Sequence, residues 1–291
     1  MPSLWWHLKE RRRRGADFAG ALIDPQARER RRRERFWALA GRYTSAITVK
    51  DRFGNAVTLN TADPVISRLT FVMGVFAPAA SDNLITALAD RGFVPEQIID
   101  VGANIGTNTW ELLSAWPQAS AVCIEPHPGN YRLLRQNVVA NDFEARVQTI
   151  NAAVGDVDST VELTVNPHNP GDHQIGGNVG EHTITVPMRR LADMVSVDRP
   201  TAVMIDVQGY EGHVLRGAGP VLGCPALVEF WPRRLKETGG YAWFLEAAGS
   251  YATILDAAGE LRAAGDLAEL GERLGPADGF TDLLLLPWAV P

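Results

Sequence analysis

From residue 97 onward, short apolar runs alternate with segments of helical spacing, and this rhythm limits the fold more than any other feature of the chain. Apolar runs fall at 98–101, 120–125, 146–151, 202–207, 226–230, 251–257 and 282–286, with helical patterns at 107–116 and 128–140 among the intervals. Parallel strands need long crossover connections, and helices fill them, so the repetition predicts a doubly wound, mostly parallel sheet. In such a sheet ligands bind beyond the carboxyl ends of the strands. The residues that end each run are therefore the candidates for chemistry.

The first run ends in the turn of IIDVGANIGTNT, residues 98–109. Gly102 and Gly106 allow close approach of the backbone to a ligand, and the helix start beyond them offers unpaired amides. The second run ends in Glu125, the third in Asn151-Ala152-Ala153, the fourth in Asp206, Gln208 and Gly209, and the fifth in Glu229. An acidic residue at the second strand's end suits ribose hydroxyls and repels a 2′-phosphate. A dinucleotide site would want G-x-G-x-x-G, whereas this turn reads D-V-G-A-N-I-G. Asp100 suits a ligand with an amino group, and the methionine moiety of S-adenosylmethionine has one.

Composition sets the outer limits. At 291 residues, with 46% hydrophobic and 21% charged residues, the chain has room for one large α/β domain and an extension. Residues 1–42 hold 12 Lys/Arg against 5 Asp/Glu, so this segment is +7 while the rest is −13. An acidic body argues against a nucleic-acid footprint. The basic arm, with Trp5, Trp6 and Trp37 beside arginine blocks, reads either as an anchor for an anionic membrane surface or acidic partner, or as a solvated arm. Cys123 and Cys224 sit in or beside apolar runs and are expected to be buried thiols without a disulfide. No apolar run has the length of a membrane span, and no apolar core follows the basic start, so a cytoplasmic location is expected. The division expected is an arm at 1–45, a hairpin with helices at 46–94, and a cofactor-binding domain at 95–291. The hairpin is AITVKDRFGNAVTLN, residues 46–60; a helical stretch follows Asp63-Pro64, and Ser81 is expected to cap another.

The set IIDVGANIG, IEPHPGNYRLLRQNVVAND, INAAVGD, VPMRRLADMV, MIDVQGYEGHVLRGA and ALVEF resembles the FkbM family of S-adenosylmethionine-dependent methyltransferases. The resemblance covers residues 97–230 in order and spacing; the first 60 residues carry none of it. It implies a Rossmann-like class I methyltransferase, a seven-stranded, mostly parallel sheet with an antiparallel last strand. It implies methyl transfer to a hydroxylated small-molecule acceptor, with S-adenosylhomocysteine as product. Cofactor contacts would come from Asp100, Gly102, Asn104 and Gly106, and ribose contacts from Glu125. Asn151 and Ala153 would lie beside the adenine, and Asp206 near the transferable methyl. Two departures stand out: Met204 where the family commonly has lysine, and Gln208 where glutamate is common.

A general base would help an alcohol acceptor. Candidates are Asp206, Glu229 and the histidines of the 166–182 loop, of which His173 is central; His127 is expected to pack at the cofactor's edge. The loop's histidines lack a metal-ligand spacing, so no metal is expected. Two other readings stay open. An NAD-dependent oxidoreductase is opposed by the missing glycine pair and by the lack of a Tyr-x-x-x-Lys motif. A non-catalytic S-adenosylmethionine-binding scaffold would use the arm for recruitment. Oligomeric state is not legible.

Overall fold

The computed structural model describes residues 25–76, 78–176, 182–257, 261–262 and 265–289. The first part of the basic arm, with Trp5, Trp6 and the arginines at 11–14, lies outside these residues. The chain enters through helix α1 (Pro25–Ala40), whose Ala27, Arg31, Glu34, Trp37 and Ala40 form the more buried stripe. Hairpin β1 (Ala46–Lys50) and β2 (Ala56–Asn60) follows as expected, with Ala46 opposite Asn60 and Lys50 opposite Ala56. Helix α2 (Ile66–Met73) receives α1: Trp37 is buried against Phe71, ring centroids 5.5 Å apart, and Glu34 pairs with Arg68. Helix α3 (Pro78–Ala89) begins one turn earlier than expected. Ser81 is thus inside the helix and fully buried rather than capping it.

The predicted alternation then unfolds: β3 (Gln97–Val101), α4 (Thr107–Ala115), β4 (Ser120–Ile124), α5 (Pro128–Ala140) and β5 (Val147–Ile150). Every residue of β3 is buried, since helices cover both faces, and QIIDV accordingly lacks an in–out alternation. Residues 153–190 leave this sheet. Strands β6 (Ala153–Gly155), β7 (Ser159–Thr164), β8 (Gln174–Ile175) and β9 (Thr183–Arg190) form a separate four-stranded sheet in the order β6-β9-β7-β8. The short α6 (Leu191–Met194) leads back to β10 (Thr201–Ile205), α7 (Glu211–Arg216) and β11 (Ala226–Phe230). Helices α8 (Pro232–Thr238) and α9 (Tyr241–Ala248) come next, then β12 (Thr253–Asp256), the two-residue β13 (Leu261–Arg262), α10 (Asp266–Leu274) and β14 (Thr281–Leu286).

The main sheet has the order β13-β12-β14-β11-β10-β3-β4-β5. Strands β5, β4, β3, β10 and β11 are parallel; β14 runs antiparallel between β11 and β12. The seven expected strands are present, and β13 adds a small edge. One core cluster, with Ile99, Val101, Val203, Ile205, Val228 and Phe230, fills one face. The other face carries Ile98, Cys123, Met204, Leu227 and Leu284 under α3, α4 and the hairpin. Chain reversal between β3 and β10 places the topological switch point at the carboxyl end of β3, where the glycine turn stands. Cys123 and Cys224 are both buried and free.

Candidate active site

The turn after β3 is set by backbone geometry that only some residues tolerate. Gly102 has φ +89°, and a Cβ there would lie 1.9 Å from the Asp206 carbonyl oxygen, so the β3 and β10 turns touch through it. Gly106 has φ +92° and is backed by the Trp110 ring, which a Cβ would strike at 2.3 Å. Between them Asn104 is left-handed at φ 51°, a region asparagine enters more readily than most residues. On the facing turn Gln208 (φ 55°) and Gly209 (φ +96°) are left-handed as well. Buried Glu211 braces that turn, its Oε1 accepting from the amides of Val207 at 3.0 Å and Gly209 at 3.1 Å.

These two turns are the lips of a cleft that is open on one side to solvent. Gly102, Asn104, Glu125, Ala153, Asp206 and His173 line it, so six of the residues singled out in the sequence meet there. Pro126 and Ala152 add apolar walls, and Pro170 and Gly171 stand across from Asn104 and Asn130. The side-chain amides of Asn104 (3.2 Å) and buried Asn130 (2.8 Å) both donate to the Pro170 carbonyl. The 166–173 loop is thereby strapped over the cleft. Asn130 and Pro170 escaped the sequence reading, because a strap between distant segments leaves no local pattern.

Glu125 is 5% exposed. Its Oε2 accepts the Asn104 amide at 3.0 Å and its Oε1 the His127 amide at 2.8 Å. Burial pushes the carboxyl up to about 7, against the pull of these two amides. Asp206 is also driven up to about 7, by burial and by the nearby Asp282 charge, with the Gln208 amide at 2.6 Å opposing.

Other candidates are placed differently. Asp100 is 4% exposed and does not line the cleft; the Thr109 hydroxyl of α4 donates to it. Burial lifts it to about 6, which the Thr109 bond moderates. Its register partner on β10 is Met204, also buried, so the position where the family commonly has lysine lies beside this carboxyl on the sheet. The Asn151 amide donates to the carbonyls of Glu125 (2.8 Å) and Pro126 (3.0 Å), fixing the end of β4 from outside the cleft lining. Gly106 supports the turn from beneath, and Glu229 stands one strand beyond Asp206.

His173 departs from the role of base. Its Nδ1 accepts the Asn166 amide at 3.1 Å, so the neutral ring carries its proton on Nε2. That Nε2 is buried and has no partner among the described residues. Burial, with His127 4.1 Å away between ring centroids, lowers the imidazole to about 4. A ring so poised donates a hydrogen bond and is a poor proton acceptor. His127 caps α5, its Nδ1 accepting the Asn130 amide at 3.4 Å, while His168 and His182 are exposed. Among the described residues no group of three or more His, Cys, Asp or Glu is placed to hold a metal ion.

A sheet of this order, with one reversed strand inserted beside β11 and a glycine-turn cleft above an acidic strand end, defines a class I methyltransferase fold. Residues 100–231 match the family model of the methyltransferase FkbM domain. Methyltransferase sdnD of Sordaria araneosa is 26% identical over 156 residues, which span 41% of this chain and 59% of that protein. Looser similarity joins the chain to solved structures. P. horikoshii TYW2 in complex with MeSAdo aligns with a TM-score of 0.43 at 13% identity, over 90% of this chain and 84% of that one. A Bacillus cereus O-methyltransferase in complex with SAH gives 0.39 at 13% identity, over 72% and 81%.

The cofactor of this family, S-adenosylmethionine, can be tested against the cleft. The buried carboxyl of Glu125 lines it and can accept from hydroxyls, apolar Pro126, Ala152 and Ala153 offer walls for a base, and one buried donor, His173 Nε2, lacks a partner among the described residues. The residues present fit the group.

Proposed function

We propose that the chain transfers a methyl group from S-adenosylmethionine to a hydroxyl oxygen of a small molecule, a sugar or a secondary metabolite. Glu125 is the observation that carries this reading. Two amides hold its carboxyl in the cleft, and each oxygen keeps a further lone pair for a ribose hydroxyl. Gly102, Asn104 and Ala153 would contact the cofactor with it, and His173 Nε2 would donate to an acceptor atom of the bound molecule. Asp100, Gly106 and Asn151 act through the turns they fix. The cofactor supplies a methyl group already activated on a sulfonium. The protein therefore aligns, excludes water and removes one proton. Asp206 is suited to that last task, since it lines the cleft and its burial sets its titration near neutrality.

Calorimetric titration with S-adenosylhomocysteine and, separately, NAD tests the reading. The expected result is binding of the former alone, weakened at least tenfold in Glu125→Ala, a loss of about 1.4 kcal/mol or more. Binding of NAD instead, or indifference to the substitution, would overturn it. Labelled S-adenosylmethionine with a panel of hydroxylated acceptors then separates O-methyl transfer from a scaffold that binds without turnover.

A further inference from the structure

Next to the cleft, three carboxyl groups stand in a row across three adjacent strands. Ile205 of β10 is level with Val228 of β11, which brings the following residues, Asp206 and Glu229, side by side. Glu229 is directly opposite Asp282 of β14. Met204, Leu227 and Leu284, each two residues away along its strand, all belong to the same core face. Side chains alternate with a period of two, so Asp206, Glu229 and Asp282 project from that face together. With strands roughly 5 Å apart, Glu229 and Asp282 extend the row by about 5 and 10 Å beyond Asp206, past the residues that line the cleft.

This row is expensive to keep. Like charges opposite one another weaken a sheet, and buried carboxylates need partners. Asp206 receives one bond, from the Gln208 amide. Glu229 is 7% exposed, and its Oε2 has no hydrogen-bond partner among the described residues. Among those residues, no hydrogen bond or ion pair reaches the Asp282 carboxyl, and no Lys or Arg pairs with any member of the row. Asp172 of the strapped loop adds negative charge: it raises both Asp206 and Glu229, after burial and closer carboxyls have raised them further. A metal ion does not resolve the row, since no such group of ligands is in place among the described residues. A ligand filling the Gly102–Glu125 cleft ends at Asp206, one strand short of the unpartnered Glu229 oxygen.

We propose that the row Asp206–Glu229–Asp282 is the acceptor subsite and that Glu229 and Asp282 select acceptors bearing a protonated amine near the hydroxyl, as in an amino sugar. An ammonium supplies up to three donors and the missing positive charge, so it answers both the orphaned oxygen and the repulsion. The inference rests on the methyl-transfer reading above and assigns the class of its second substrate.

The test compares matched pairs by saturation-transfer NMR and calorimetry on the full chain: glucosamine against glucose, galactosamine against galactose, and 2-aminocyclohexanol against cyclohexane-1,2-diol. Each pair is measured with and without S-adenosylhomocysteine. Wild-type protein is expected to bind the amines at least tenfold more tightly, with the preference lost in Glu229→Gln and in Asp282→Asn. S-adenosylhomocysteine affinity should stay unchanged in both variants. Equal affinity within the wild-type pairs, no binding of any amine, or a preference surviving both substitutions would overturn the subsite. The wild-type comparison decides even if a variant fails to fold. Failure of S-adenosylhomocysteine to bind at all would instead strike the cofactor reading, so the two failures are distinguishable.

Discussion

At the scale of single residues, the cleft depends on places where a side chain has no room. Gly102 combines a left-handed φ with a Cβ position that would overlap the Asp206 carbonyl. Alanine there would meet both penalties: the left-handed region costs an alanine about 1–2 kcal/mol, and overpacking typically adds about 1–3. Gly102→Ala is accordingly expected to lose about 2–5 kcal/mol in urea unfolding and to bind S-adenosylhomocysteine at least tenfold more weakly, because the two lips must separate. Gly54 makes the fitting contrast: its φ is also positive, +90°, but a Cβ there meets nothing within 4 Å. Gly54→Ala should show only the conformational penalty and leave binding intact. Similar binding in the two variants would show that the contact of the two turns does not shape the site. The same scale explains why His173 could not be assigned from sequence. Its tautomer is fixed by an amide seven residues earlier, across a loop whose shape no local pattern encodes.

At the scale of elements, the strands and their polar ends were legible because parallel strands buried on both faces leave continuous apolar runs, as in QIIDV and ALVEF. Helices α8, α9 and α10 and the separation of β6–β9 into their own sheet were not. YAWFLEAA is apolar on nearly every side and shows no clear period, whereas TITVPM of β9 alternates as a strand should; what no local pattern gives is that β9 pairs with β7 across a long loop instead of joining the main sheet. The basic arm was misleading in another way: arginine content drew attention to charge, whereas helix α1 also docks on α2 through aromatic and backbone contacts, beside the Glu34–Arg68 pair. Trp37 is 6% exposed and packs on Phe71, and Arg33 donates to the Phe71 carbonyl at 3.1 Å. Helix α1 is thus attached to α2 through one narrow stripe. Trp37→Ala should cost about 3 kcal/mol by denaturant titration, as for other buried aromatic truncations. Arg35→Ala, on the exposed face and without a partner among the described residues, should stay within about 0.5 kcal/mol. Near-equal effects would mean that charge, not the tryptophan, holds the helix in place.

At the scale of the whole molecule, the buried acids couple stability to pH, and the sign follows from the direction of their shifts. Burial raises Asp100 to about 6, and Glu125, Asp206 and Glu211 to about 7; it raises Glu229 well above the ordinary range and lifts Asp282 too. Each binds its proton more tightly folded than unfolded, so the stabilisation is complete below the unfolded value and is lost as pH rises through the folded one. His127 and His173 oppose this, since burial lowers both. Their contribution grows with pH and is complete once the unfolded imidazoles are neutral, about one unit above their value of about 6.5. From pH 6.5 to 8 the carboxyls outweigh the last of the imidazole gain, which is under about 1 kcal/mol for the two histidines. A group moved to about 7 loses on the order of 1 kcal/mol over that window, so the set should lose about 2–4 kcal/mol in all. At about 2 °C per kcal/mol for a chain of this size, Tm should fall by roughly 4–8 °C. Calorimetry at constant ionic strength checks this, and Glu229→Gln, which removes one titrating acid from the row, should flatten the slope. A Tm that climbs between pH 6.5 and 8 would mean the acids are already ionised and compensated in the folded protein. An amine-bearing acceptor should also reverse part of the loss, since its positive charge favours the ionised row. The stabilisation it gives at pH 8 should therefore exceed that at pH 6.5, provided its own amine stays protonated.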